Sequence, residues 1–159
     1  MATEDTFNGA KNGFTYYFAY FNTVGQEIGM ERAVALQTKM CEAMGATQGK
    51  MIKEQAGVEE CDAKAATGLA ETFIEGLGIN SEVIQESPQE VVSKVGRCPL
   101  YEAAQLLGLD AETIEALCRA GALKFMDAMV KQFNPNLSYQ LRKFRSAADD
   151  FCEEAIVLE

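Results

Sequence analysis

Residues 90–107 read EVVSKVGRCPLYEAAQLL, and the period of the apolar positions changes in the middle of that stretch. Val91, Val92 and Val95 form a short β-like run, whereas Leu100, Ala103, Ala104, Leu106 and Leu107 recur at helical spacing. The switch falls at Cys98. Pro99 suits the first position of a helix, where its missing N–H costs nothing, so Cys98 becomes the N-cap. A thiol there feels the unpaired N–H groups of the first turn and the positive end of the helix, and both favour its thiolate; Arg97 pushes the same way. Cys98 is therefore a candidate nucleophile, metal ligand or anion-adjacent group, against the alternative of a cap thiol that only packs.

Working outward, the strand before Cys98 pairs with an earlier run, Glu82 to Glu86, across the turn Ser87-Pro88-Gln89. Three amphipathic helices are expected upstream. The first runs from about residue 7 to residue 29, with a stripe that includes Phe7, Phe14, Tyr17, Phe18, Phe21 and Val24. The second runs from Glu31 to about Gln55, with Leu36, Met40, Ala43, Met44, Thr47 and Met51 on its inner face and Gly45 and Gly49 weakening its middle. The third is capped by Asp62 and closed near Gly78. Downstream of the short helix at Pro99, Gly108-Leu109-Asp110 stops one helix and caps another, whose stripe runs from Ile114 through Cys118, Gly121 and Met129 to Phe133. Leu137, Tyr139 and Leu141 alternate in a third strand, and Phe151 to Leu158 make a fourth, on which Cys152, Glu154, Ile156 and Leu158 share a face. The pattern is an α+β fold, with helices packed on a four-stranded antiparallel sheet in the order αααββααββ.

Residues 1–159 are most simply one domain, with a helical half at 1–78 and a mixed half at 79–159 that carries the cysteines. The net charge of −10 repels phosphate backbones, which argues against a nucleic-acid partner. No apolar run is long enough for a membrane span, and the acidic start, Met1-Ala2-Thr3-Glu4-Asp5, is unlike a secretory signal; the expectation is a cytoplasmic protein. Five widely spaced cysteines read as thiols or ligands rather than a disulfide framework. Histidine is absent, so carboxylates, thiols, tyrosines and bases must do any acid–base work.

Three cysteines stand where they could converge: Cys98 at the strand-to-helix junction, Cys118 on a helix stripe and Cys152 at the start of the last strand. Their spacing matches no zinc knuckle, but if they meet, three sulfurs joined by Asp149, Asp150 or Glu154 suit zinc or another soft metal; the alternative is separate buried thiols. Arg97 and Arg145 are candidates to grip a substrate carboxylate, against the alternative of a charged strand edge formed by Arg142, Lys143 and Arg145. Tyr17, Phe21 and Tyr101 are the candidate aromatic contacts to a small-molecule ligand, with core packing as the alternative.

The run Cys98-Pro99-Leu100-Tyr101-Glu102-Ala103, through Gly108-Leu109 and Cys118 to Arg145 and Asp149-Asp150-Phe151-Cys152, resembles the C-terminal half of the L-2-amino-thiazoline-4-carboxylate hydrolase family, over about residues 80 to 158. Ala148 stands where that family's closing hairpin has a glycine. More distantly the chain resembles four-vinyl reductase-type domains and TRAPP vesicle-tethering subunits, which implies an α+β ligand-binding fold and, in some relatives, a zinc held by cysteines and acids. The resemblance implies a hydrolase that opens a small sulfur- and nitrogen-containing heterocyclic carboxylate. Cys98 would be nucleophile or ligand, Asp149 or Asp150 the acid–base group, and Arg145 the clamp. The competing expectation is a non-catalytic ligand- or metal-binding module; a homodimer is left open.

Overall fold

The computed structural model describes residues 3–159. Among them six helices and four strands follow in the order α1 (Glu4–Ile28), α2 (Met30–Ala56), α3 (Ala63–Gly76), β1 (Ser81–Glu86), β2 (Glu90–Val95), α4 (Pro99–Leu106), α5 (Ala111–Ala120), α6 (Ala122–Phe133), β3 (Leu137–Lys143) and β4 (Cys152–Leu158). The α+β architecture and its order are those expected. The strands form one antiparallel sheet, β1-β2-β4-β3.

Local chemistry sets most boundaries. Thr3, Asp62 and Asp110 cap α1, α3 and α5 by accepting the N–H groups of Thr6, Ala65 and Thr113. Gly29, at φ +91°, is the single residue between α1 and α2 and lets the chain reverse on itself. Pro99 occupies the first turn of α4 behind Cys98, as its lack of an N–H permits.

The helix expected after Asp110 is divided at Gly121 into α5 and α6. The division is braced from α2: Thr38 Oγ1 donates to the Ala120 carbonyl beside the break at 2.6 Å, and Gln37 Nε2 adds a second donor, at 3.4 Å, to the Leu117 carbonyl that already accepts the Gly121 N–H.

The face of α2 is a correction. Leu36, Met40, Met44 and Met51 lie outward, 46–56 % exposed, while Ala33, Gln37, Gly45 and Gly49 are buried. Sequence pattern favoured the large apolar stripe, but α2 crosses α6 so closely that a Cβ at Gly45 or Gly49 would collide with the backbone carbonyls of Phe125 and Met129. Backbone approach outweighs side-chain size there.

Two apolar clusters result. One lies under the sheet, where Ala63, Ala66 and Ala70 of α3 and Met129, Val130 and Phe133 of α6 pack on Val91, Leu137 and Ile156. The other joins α1, α4 and α5 through Phe18, Phe21, Tyr101, Ala103, Ala104, Ile114 and Leu117. Each large side chain so buried contributes roughly 1.5–3 kcal/mol.

Candidate active site at the seam between the two clusters

Strand register divides the inner face of the sheet into a dry end and a polar end. Val91 pairs with Ile156 at one end, while Ser93 pairs with Glu154 and Val95 with Cys152 toward the other. On the far side Leu141 lies opposite Glu154 and Tyr139 opposite Ile156, so the Tyr139 hydroxyl reaches diagonally to donate to the Glu154 carboxylate. The period of two carries Cys152 and Glu154 to the same face, as the sequence suggested.

The helices bring the other sulfurs to this end. The Cys98 thiol, at the entry to α4, feels the charges of Arg145 and Glu154; Cys118, on α5, feels those of Cys98, Glu154 and Cys152. The three late cysteines and Glu154 thus share one neighbourhood. Desolvation dominates it. Burial pushes the Cys98 thiol up to about 11, although the Tyr101 and Leu100 N–H groups and Arg145 pull it down. The lowered thiol expected of a helix N-terminus is therefore not found: loss of water outweighs the helix end. Burial also raises Cys118, helped by its acidic neighbours, and raises Tyr139 beside Glu154. Glu154 is pushed above the usual carboxylate range by burial, against the opposing pull of the Tyr139 hydroxyl and Arg145.

Arg145 is 2 % exposed and fastens three segments together. Its Nε donates to Cys152 Sγ at 3.4 Å, one terminal nitrogen to the Asp150 carbonyl at 3.3 Å, and the other to the carbonyls of Val95 at 3.3 Å and Gly96 at 2.5 Å. Of the five N–H groups a guanidinium offers, one is left. No carboxylate is in ion-pair contact with Arg145 among the described residues. It supplies a buried positive charge, but the free two-pronged clamp expected of it is already spent on the backbone.

A narrow slot of about 20 Å³ reaches Glu154 and Tyr139 between α3 and the sheet, lined by Thr67, Ala70 and Ile74 above and Val91, Ser93 and Val95 below. That is room for about one water.

The remaining candidates lie elsewhere. Asp150 sits in the β3–β4 turn, where its carboxylate accepts from Lys143 Nζ at 2.8 Å and from the Ser146 N–H and hydroxyl at 2.9 and 3.0 Å; these bonds hold it well below the usual range. Asp149 stands exposed at the tip of the same turn. Arg97 points to the surface, paired with Glu102 at 2.9 Å and Glu4 at 3.2 Å and stacked 4.1 Å from the Phe7 ring centre. Tyr101 is buried against Phe144, its ring 5.9 Å away, and lies 5.6 Å from the Arg145 guanidinium. Tyr17 and Phe21 stack at 6.5 Å in the helical cluster rather than along the slot.

The metal expectation is corrected. Among the described residues no group of three or more histidine, cysteine, aspartate or glutamate side chains could hold a metal ion. Cys152 Sγ already accepts from the Arg145 guanidinium, and the sulfurs and carboxylates present form no ligand group, so the donor set does not fit zinc. Glu154 was legible as a neighbour of Cys152; Tyr139 was legible only as a strand residue, because its partner is fixed by register across the hairpin.

A four-stranded antiparallel sheet backed by helices defines a class of small α+β domains. Two solved structures share it. Subunit 3 of a trafficking protein particle complex from Naegleria fowleri, covalently bound to palmitic acid, aligns over 95 % of this chain and 95 % of its own with a TM-score of 0.63 at 15 % identity. The phenol-responsive sensory domain of the transcription activator PoxR, with phenol, aligns over 91 % of this chain and 74 % of its own with a TM-score of 0.58 at 13 % identity. At such identities the likeness is one of fold. Residues 10–154 match the family of L-2-amino-thiazoline-4-carboxylic acid hydrolase, and the chain belongs to that family. No curated protein matches it.

Proposed function

We propose that this chain hydrolyses a small cyclic amidine carboxylate of the thiazoline type, with the chemistry at the polar end of the sheet's inner face. The observation that carries the reading is one buried carboxyl, Glu154, which lines a water-sized slot and lies within electrostatic reach of the Cys98 and Cys118 thiols and of Arg145, itself bonded to Cys152. A thiazoline carboxylate brings an amidine-like carbon and an anionic group, and the seam offers a counterpart to each. Glu154 takes the acid–base role first considered for Asp149 and Asp150. Raised by burial, it can hold a proton for the departing ring atom and, once ionised, draw one from water. Cys98 is the candidate nucleophile: its proton passes to the ionised Glu154 as its sulfur bonds the amidine carbon, Glu154 hands that proton to the departing ring atom, and a water that Glu154 then deprotonates displaces the Cys98 sulfur, which takes the proton back; Arg145 acts as a positioning charge, since most of its hydrogen bonds are taken. The slot must widen for a heterocycle to enter, and α3 forms its roof. The helical half, 1–78, would supply this roof and the mixed half, 79–159, the reacting groups, within one domain. Reduced thiols suit a cytoplasmic setting.

The test is ring opening of 2-amino-thiazoline-4-carboxylate to carbamoyl-cysteine, followed by mass spectrometry with purified protein. Turnover lost in Glu154→Gln and in Cys98→Ser, with the fold intact, is the expected result. A parent-like rate in Cys98→Ser removes the nucleophile; a parent-like rate in Glu154→Gln removes the assignment.

The second reading is a binding module without turnover, which the narrow slot and the protonated thiols favour. Saturable binding of a thiazoline carboxylate or a small phenol, without product at any pH, would select it.

A further inference from the structure

The outer face of the α1–α2 pair is apolar along one helix and aromatic along the other. Leu36, Met40, Met44 and Met51 recur on α2 at intervals of four, four and seven residues and are 50, 46, 56 and 48 % exposed. On α1, Tyr16 and Tyr20 are 80 and 72 % exposed. Single exposed apolar residues need no explanation, but a continuous strip four turns long does.

Exposed bases line one edge of the α2 strip, with the acid Glu54 beside its C-terminal end, and the charges on the α1 strip are acids. Arg32, Lys39 and Lys50, at intervals of seven and eleven, share one edge of the α2 strip; Asp5 and Glu27 lie on the α1 strip with Tyr16 and Tyr20, eleven and seven residues away from them. All five charged side chains are exposed, and none has an ion-pair partner among the described residues. The helices run antiparallel with Gly25 against Ala33 and Tyr17 beside Cys41. That register sets Tyr20 level with Thr38, Tyr16 with Glu42, Glu27 with Glu31 and Asp5 with Lys53.

We propose that a second copy of this chain covers this face, with α1 of each copy lying on α2 of the other about a two-fold axis parallel to the helices. Such an axis keeps each level and exchanges the two helices. Tyr20 and Tyr16 of one copy meet Met40 and Met44 of the other, a pairing that aromatic rings and thioethers favour. Glu27 comes within one residue's rise of Arg32, which lies on the strip's edge where Glu31 does not, and Asp5 comes level with the Lys50–Lys53 turn, twice each by symmetry. With a net charge of −10 on each copy, association without these reciprocal pairs would be opposed by repulsion, which selects this arrangement over unspecific apolar contact.

Light scattering and sedimentation of the full chain between 10 and 100 μM, expressed as approximate working concentrations, test it. A mass twice the 17.4 kDa of one chain is expected. Met44→Glu and Tyr20→Glu should each give monomers with unchanged circular dichroism, since both positions face solvent in one copy. Arg32→Glu and Glu27→Arg should each weaken the dimer about tenfold, with the double exchange restoring it, the signature of a reciprocal pair. A monomeric parent at every concentration overturns the proposal, as does a dimer that survives Met44→Glu. A double exchange no tighter than either single change overturns the two-fold arrangement. Binding to anionic lipid vesicles by a monomeric parent would assign the face to a membrane surface instead.

Discussion

The seam under the helices and the turn of the β3–β4 hairpin both hold acids beside bases, yet water makes them opposites. In the turn, Asp150 is ringed by Lys143 and the Ser146 N–H and hydroxyl in the open, so its carboxylate is stabilised and its proton lost early. In the seam, Glu154 is near Arg145 and bonded to Tyr139, but burial prevails and pushes its carboxyl above the usual range. A well-satisfied surface carboxylate builds a turn, whereas a desolvated one can move a proton near neutrality.

The sharpest way to break that contrast is to compare the two arginines that the sequence nominated together. Arg145→Met should destabilise the fold by about 3 kcal/mol or more in a denaturant titration, because the Val95, Gly96 and Asp150 carbonyls lose their donor. Arg97→Ala removes exposed pairs and should change stability by less than about 1 kcal/mol. Equal effects would mean that Arg145 is not the fastener described.

Glu154→Gln should lower turnover at saturating thiazoline by about a hundredfold, the scale of a lost acid–base group, while Asp150→Asn should leave the rate within about threefold of the parent. The reverse order would return the acid–base role to the turn.

Alkaline pH gives a smaller, signed effect. The Cys98 thiol ionises near 9.0 when unfolded and at about 11 when folded, so between these values the unfolded chain binds fewer protons than the native one. Stability from this group is complete below about pH 9 and falls as pH rises through 11, with a slope of up to about 1.4 kcal/mol per pH unit. Comparing Cys98→Ala with the parent across pH 8–11 isolates it; parallel curves would refute a dry thiol. The smallest effect belongs to the turn. Asp150 contributes stability above the usual carboxylate range that fades as pH falls through its lowered value, so Asp150→Asn should flatten the acid limb of the stability curve slightly.

Local rules carried the fold. The change of period at Cys98, the caps at Asp62 and Asp110 and the alternation through Cys152 and Glu154 depend on neighbours in the chain, and each element appears where they put it. Helix α2 could not be oriented in that way: its apolar strip is periodic, but Gly45 and Gly49 turn the opposite face inward, because only they let its backbone meet α6. The site was legible in part. Cys98, Cys118, Cys152 and Arg145 were named, and they come within electrostatic reach of one another without forming a ligand cluster; the burial of Glu154 was not legible, because sequence shows a carboxylate's type and not its water.

Apart from the break at Gly121, which α2 braces, the chain by itself determined which segments are helices and strands, where they are capped, and which residues share a strand face, since propensity, capping and a period of two act over a few residues. Tertiary structure alone decided which arginine is buried and which acid and thiol are dried, because desolvation is imposed by segments far apart in sequence and is strong enough to reverse what a helix end or a neighbouring charge would do.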